Sequence, residues 1–236
     1  MAIRVHELHP TLAHFPLALV PTSLALDVVG RLIGSEALME AGRRLMPIAA
    51  VSTFATGLAG LVAQQAVRAD GNAHAMLATH RNLNLLLAGV TAVLARTRWR
   101  SRQPGWGYLL AGLSGAAAMS YTAYLGGKMV YAHGVGVERA AGVWLDESPE
   151  IRRGSAARAA RLSASHAARA VQQAAREFGE GEVAPLLQTG ARRMQERRRR
   201  GDGMRREEPE AVGGYAEDVY RARGTEHSVP PPDAPL

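Results

Sequence analysis

The sequence predicts an all-α protein, a four-helix transmembrane bundle followed by a partly helical, partly disordered C-terminal tail. Three observations predict it. Four apolar stretches are long enough to span hydrocarbon, which takes roughly 20 residues of helix. Six of the eight histidines sit at ends of those stretches that an up-down-up-down topology brings to one membrane face. The composition also changes abruptly: the chain up to His133 carries 11 Lys/Arg against 5 Asp/Glu, a net +6, whereas the remainder carries 17 against 16, a net +1.

Whole-chain averages conceal this division. With 47% hydrophobic residues and a mean hydropathy of −0.09, the chain reads at first like an ordinary soluble domain. Split in two, it gives a membrane domain over 1–137 and an Ala/Arg-rich tail of mixed charge over 138–236. The high isoelectric point, near 10.5, belongs to the membrane part. Arginine and lysine are enriched in cytoplasmic loops for topological reasons, so the basic balance does not point to nucleic acid. The absence of cysteine excludes disulfides, thiolate metal sites and thiol catalysis.

The spans are read at Leu12 to Ile33, Leu45 to Val67, Met76 to Ala95 and Tyr108 to Tyr131. The first lacks a basic start and a small-residue cleavage site, which sets it apart from a cleavable signal peptide. Pro10 suits a first helical turn, but Pro16 and Pro21 follow, and a proline removes a donor and disfavours helix just before it. A break around Ala13 to Pro16 would turn His9 and His14 into a cavity. In the third span the run from Leu83 to Ala95 is too short to cross, so the helix extends back through Asn82, Arg81 and His80. A central Arg facing lipid costs about 3 kcal/mol on insertion scales, so these groups are expected to face inward. His80 and Asn84, four apart, share a face. The fourth span places Gly112, Gly115, Ala116 and Gly126 at packing intervals, with Tyr121, Tyr124 and Tyr131 as interfacial anchors and Lys128 near its end.

Three motifs, HPTLAHFP at the start of span one, His80-xxx-Asn84 in span three and YLGGKMVYAHGVGV closing span four, resemble the bacterial integral-membrane family catalogued as domain of unknown function 2231. The resemblance covers Val5 to Val137; Lys128 departs from the expected pattern. It implies a four-helix membrane domain with His9, His14, His80, Asn84 and His133 at the motif positions. It brings no established activity with it.

Neutral imidazoles at one end of a bundle suit haem iron or a transition metal. One haem b would need an axial histidine from each of two helices, here His80 with His14 or His133, and cations for its propionates, here Arg81 and Lys128. His14, His80 and His133 are equally the candidate ligands for a bare metal. The site reads as His9, His14, His80, Asn84, His133, Arg81 and Lys128, and the leading function as a haem- or metal-binding electron-transfer subunit. Two further classes stand beside it: a small transporter or proton-conducting protein whose histidines titrate near neutral pH, and a non-catalytic membrane scaffold. The partners expected are the lipid bilayer and a redox partner or a second copy of the chain. No G-x-S-x-G, Walker loop, dinucleotide glycine fingerprint or HExxH supports a hydrolytic or nucleotide-dependent enzyme.

The plainer readings are that single interfacial histidines are amphipathic anchors, that His6 and His74 are loop residues, and that Asp27 pairs with Arg31 four residues on rather than handling protons. Arg43 and Arg44 between spans one and two, and Arg96, Arg98, Arg100 and Arg102 between spans three and four, put those loops in the cytoplasm and the histidine face outside a bacterial inner membrane. In the tail, Ser155 to Phe178 is Ala-rich with Arg at intervals and predicts a surface helix or a helix on a partner. The basic run Arg192 to Arg200 reads as a solvated helix face, and the end closing in VPPPDAPL as disordered.

Overall fold

The computed structural model describes residues 3–137, 141–143, 149–151 and 154–201. Strand β1 (Ile3–Arg4) leads into four long helices: α1 (Val5–Ile33), α2 (Glu36–Ala63), α3 (Asn72–Arg100) and α4 (Trp106–His133). Each has 28 or 29 residues, about 43 Å of helix against roughly 30 Å of hydrocarbon. The ends therefore reach past a bilayer core. Between α1 and α2, Gly34 takes φ 70°, where a side chain would be strained, and its N–H bonds to Gly30 O. Ser35 then caps α2 by accepting from Leu38 N at 3.4 Å.

The helices are longer than the spans read from hydropathy, because backbone hydrogen bonding continues after the apolar run ends. Arg43 and Arg44 lie inside α2, both bonded to Glu40 at 2.7 Å, and Arg96, Arg98 and Arg100 lie inside α3. The expected loop positions of these arginines are thereby corrected. At its other end α2 stops at Ala63, short of Val67.

Nor does α1 break at its prolines: it runs unbroken through Pro10, Pro16 and Pro21. Proline at 16 offers no N–H to the carbonyl four residues back, which is Leu12. Thr56 Oγ1 on α2 donates to that carbonyl instead, at 3.1 Å. One side-chain bond from a neighbour thus replaces the missing rung.

Packing runs in a ring, α1 on α2, α2 on α3, α3 on α4 and α4 back on α1. Val20, Leu24, Met46, Leu87, Leu109 and Met119 fill the middle, and Gly112 lets Leu24 lie directly on α4. Around this apolar core the distribution departs from that of a water-soluble bundle. Asp27, Asn82 and Arg98 are at most 1% exposed, while Val51, Val93 and Leu110 are 65% exposed or more. Such an apolar exterior, with ionisable groups kept inside, suits a lipid surround. Glu7–Ile33 and Glu36–Ala63 are each long and apolar enough to cross a membrane; α3 and α4 match them in length, with polar residues in place of part of the apolar run. At the end where α3 gives way to α4, Trp99 and Trp106 stand exposed, with the Arg43 and Arg31 guanidinium groups 5.4 and 5.0 Å from their ring centres.

After α4, strand β2 (Glu150–Ile151) pairs antiparallel with β1. Helix α5 (Ala156–Gly179) closely matches the helix expected there. It buries Ala159, His166, Ala170 and Ala174 and packs on α2 and α3. Helix α6 spans Pro185–Gly201. By internal contacts the chain divides after Ala191, and of the second unit, Arg192–Leu236, only the helical stretch Arg192–Gly201 is described. The basic run lies in that stretch, whereas the proline-rich end lies outside the described residues.

Candidate functional site

Two histidines meet across the bundle at the end formed by the starts of α1 and α3. His9 lies on α1 and His80 on α3, with ring centres 6.1 Å apart and planes at 85°. Each ring is held by a different neighbouring backbone. His9 Nδ1 donates to Thr56 O on α2 at 3.1 Å, and His80 Nδ1 donates to Thr122 O on α4 at 2.9 Å. A carbonyl can only accept, so both rings carry their proton on Nδ1 and keep the Nε2 lone pair. That is the tautomer in which a histidine binds a metal through Nε2 while a second interaction fixes its orientation.

Glycine makes room for each ring. A Cβ at Gly60 on α2 would fall 2.9 Å from His9 Cε1, and one at Gly126 on α4 would fall 3.3 Å from His80 Cε1. Both glycines lie four residues after the threonine whose carbonyl anchors the ring, on the same helix face. The repeated Thr-xxx-Gly arrangement lets an imidazole lie flush against backbone. Around the pair opens a cavity of about 440 Å³, within the usual range for a small-molecule site. Its walls are mostly apolar and include Leu17, Phe54, Met119 and Val135, with Asn84, Thr56 and Thr122 among the polar groups.

The structure brings together part of the set named from sequence. His9, His80, Asn84 and Arg81 all line the cavity. Asn84 Nδ2 donates to His80 O at 2.7 Å and its Oδ1 accepts from Thr122 Oγ1 at 3.3 Å, so it ties α3 to α4. Arg81 is 6% exposed, with Nε donating to Asn82 Oδ1 at 2.9 Å and Nη2 paired with Glu177 of α5. Its charge is already met by a carboxylate from the tail.

His14, His133 and Lys128 are exposed and line no part of the cavity. Among the described residues His14 bonds along its own helix, Nδ1 to Thr11 O at 3.3 Å. The partner of His80 is thus His9 rather than His14 or His133. Helical geometry explains it: at about 100° per residue, His9 and His14 point about 140° apart, so one of the two turns away from the axis. His133, at the very end of α4, lies about two turns beyond the Gly126 that meets His80. His74 is exposed near the start of α3, and the side chain of His6 lies outside the described residues.

Sequence reasoning missed the second polar cluster, at the opposite end. Arg98 on α3 donates to Asp27 on α1 from Nε at 2.9 Å and from Nη2 at 2.8 Å, and Nη1 reaches Ser101 O at 2.5 Å. Nη2 also bonds Met39 O on α2, and Tyr108 on α4 donates its hydroxyl to Asp27 at 3.0 Å. The expected pairing of Asp27 with Arg31 is corrected: Arg31 lies over Trp106 instead. A matching depth on α1 and α3, which run the same way, was the available signal. Gly42 is required here, since a Cβ there would fall 2.5 Å from Asp27 Oδ1.

Among the described residues no group of three or more His, Asp or Glu is placed to hold a metal ion. In comparisons with known proteins, the profile of a family described as predicted membrane protein, domain of unknown function 2231, matches residues 5–139. No curated protein and no solved structure gives a significant match.

Proposed function

The chain belongs to the family of predicted membrane proteins catalogued as domain of unknown function 2231, and from that premise we propose that it holds one haem b between His9 and His80 and serves as an electron-transfer subunit of a bacterial inner membrane. In this reading all four helices cross the bilayer and the histidine end faces outward.

The observation that carries the reading is the His9–His80 pair. The two imidazoles come from two different helices and their ring centres stand 6.1 Å apart, so they would hold a haem iron between them. The donor set also discriminates between occupants. Zinc and related ions take three or four protein ligands, whereas a porphyrin supplies four nitrogens and asks the protein for two. Two imidazoles from two helices fit the second demand. When bound, haem b supplies a one-electron couple. Thr56 O and Thr122 O fix the two imidazoles through Nδ1, so that His9 and His80 would hold the group, and apolar side chains on the walls would keep water from it. A redox partner in the membrane would exchange the electron.

The test is an absorption spectrum of the full chain purified from cells supplied with haem. A Soret band that shifts on reduction, lost in His9→Ala and in His80→Ala and kept in His14→Ala and His133→Ala, is expected. Colourless protein, or a Soret band that survives both His9→Ala and His80→Ala, overturns the reading. Colourless protein with pH-dependent flux in vesicles would support a transport role, and with no flux a scaffold.

A further inference from the structure

Gln64 follows directly on the last residue of α2. It caps the C-terminal end of α2, its N–H bonded to Gly60 O at 3.0 Å, and its side chain lines the same cavity as His9 and His80. Both amide atoms, Oε1 and Nε2, are shut away from solvent and meet no hydrogen-bond partner among the described residues. A buried amide left unpaired costs about 1–3 kcal/mol, so one on a cavity wall marks where a ligand presents a polar group. Gly60 lies against His9, and Gln64 is the next residue on that face, about one turn, or about 6 Å, toward the end of the bundle.

We infer that Gln64 binds the propionate edge of the porphyrin held between His9 and His80, its Nε2 donating to a carboxylate oxygen. The inference rests on the haem reading. The propionates are the only polar substituents of haem b, the remainder being methyl and vinyl groups. A carboxylate is least costly at the bundle end, where headgroups and water are near, and Gln64 lies on that side of the histidines. The two cations that sequence offered for the purpose are placed otherwise. Lys128 is exposed away from the cavity, and Arg81 is paired with Glu177.

The test uses the full chain, freed of haem and titrated with haemin and with haemin dimethyl ester, whose carboxylates are blocked. Soret absorbance reports the dissociation constant. Gln64→Leu should weaken haemin binding about tenfold, the worth of one hydrogen bond to a charged group. Esterification should weaken the wild type by a larger factor than Gln64→Leu, because that variant has already lost the contact. Without haem, Gln64→Leu should unfold at the same temperature as the wild type or higher, since it removes an unpaired amide. Equal haemin affinity in wild type and Gln64→Leu, or an equal loss on esterification in both, overturns the role of Gln64 and leaves the histidine pair standing. A wild type that binds neither compound overturns both.

Discussion

The two polar ends of this bundle are built from similar materials and finished differently. At the Asp27 end the facing charges answer each other: Asp27 accepts from Arg98 and Tyr108, and Arg98 spends its remaining donors on Met39 O and Ser101 O. The groups come from all four helices, so the cluster is a clasp. At the histidine end the side chains are anchored through one atom each and left open at another. His9 and His80 are fixed by Nδ1 and keep Nε2, and Gln64 keeps both amide atoms. A saturated cluster holds structure. An unsaturated one, cavity attached, is what the proposed haem site is built on.

The sharpest way to break the comparison is to damage the clasp. Arg98→Met leaves the Asp27 carboxylate buried with only Tyr108 for company, and removing one member of a buried pair costs about 3–5 kcal/mol. Thermal unfolding in detergent should show a large loss of stability; a variant as stable as the wild type would mean that Asp27 is not charged there. Substituting both partners, Asp27→Leu with Arg98→Met, should recover much of the loss, because no charge is then stranded.

At the open end the expectation reverses, with binding hit harder than folding. Gly60→Ala places a methyl 2.9 Å from His9 Cε1 and 3.0 Å from Nδ1, so the ring must swing off the Thr56 carbonyl. The Soret band should weaken or shift, while the unfolding temperature changes by less than for Arg98→Met. An unchanged spectrum would show that the position of the His9 ring does not matter to the bound group. Smallest of all is Tyr108→Phe, which removes one of several bonds to Asp27 and should cost about 1 kcal/mol in thermal unfolding, with no effect on the spectrum. A spectral change would show that the two ends communicate.

Much of the bundle was legible in advance because a membrane helix announces itself by a local property, a run of apolar residues. The runs located the four helices but not their ends, since Arg43, Arg44 and Arg96 are as helical as the leucines before or after them. The proline-rich start of α1 misled for a related reason. Sequence shows that Pro16 cannot bond to Leu12 O, but not that Thr56 stands across the groove to do so.

By itself the sequence determined that this chain is helical, that its first part belongs in a membrane, and that its histidines gather at one end, because each of these follows from composition and order along one dimension. Which histidines face each other, that Asp27 meets Arg98 and not Arg31, that Arg81 is met by a carboxylate about a hundred residues away, and that Gln64 meets no partner among the described residues were decided only by the tertiary structure. The physical reason is angular. Rotation of about 100° per residue turns His9 inward and His14 out, and the packing of neighbouring helices fixes which inward-facing groups come within bonding distance.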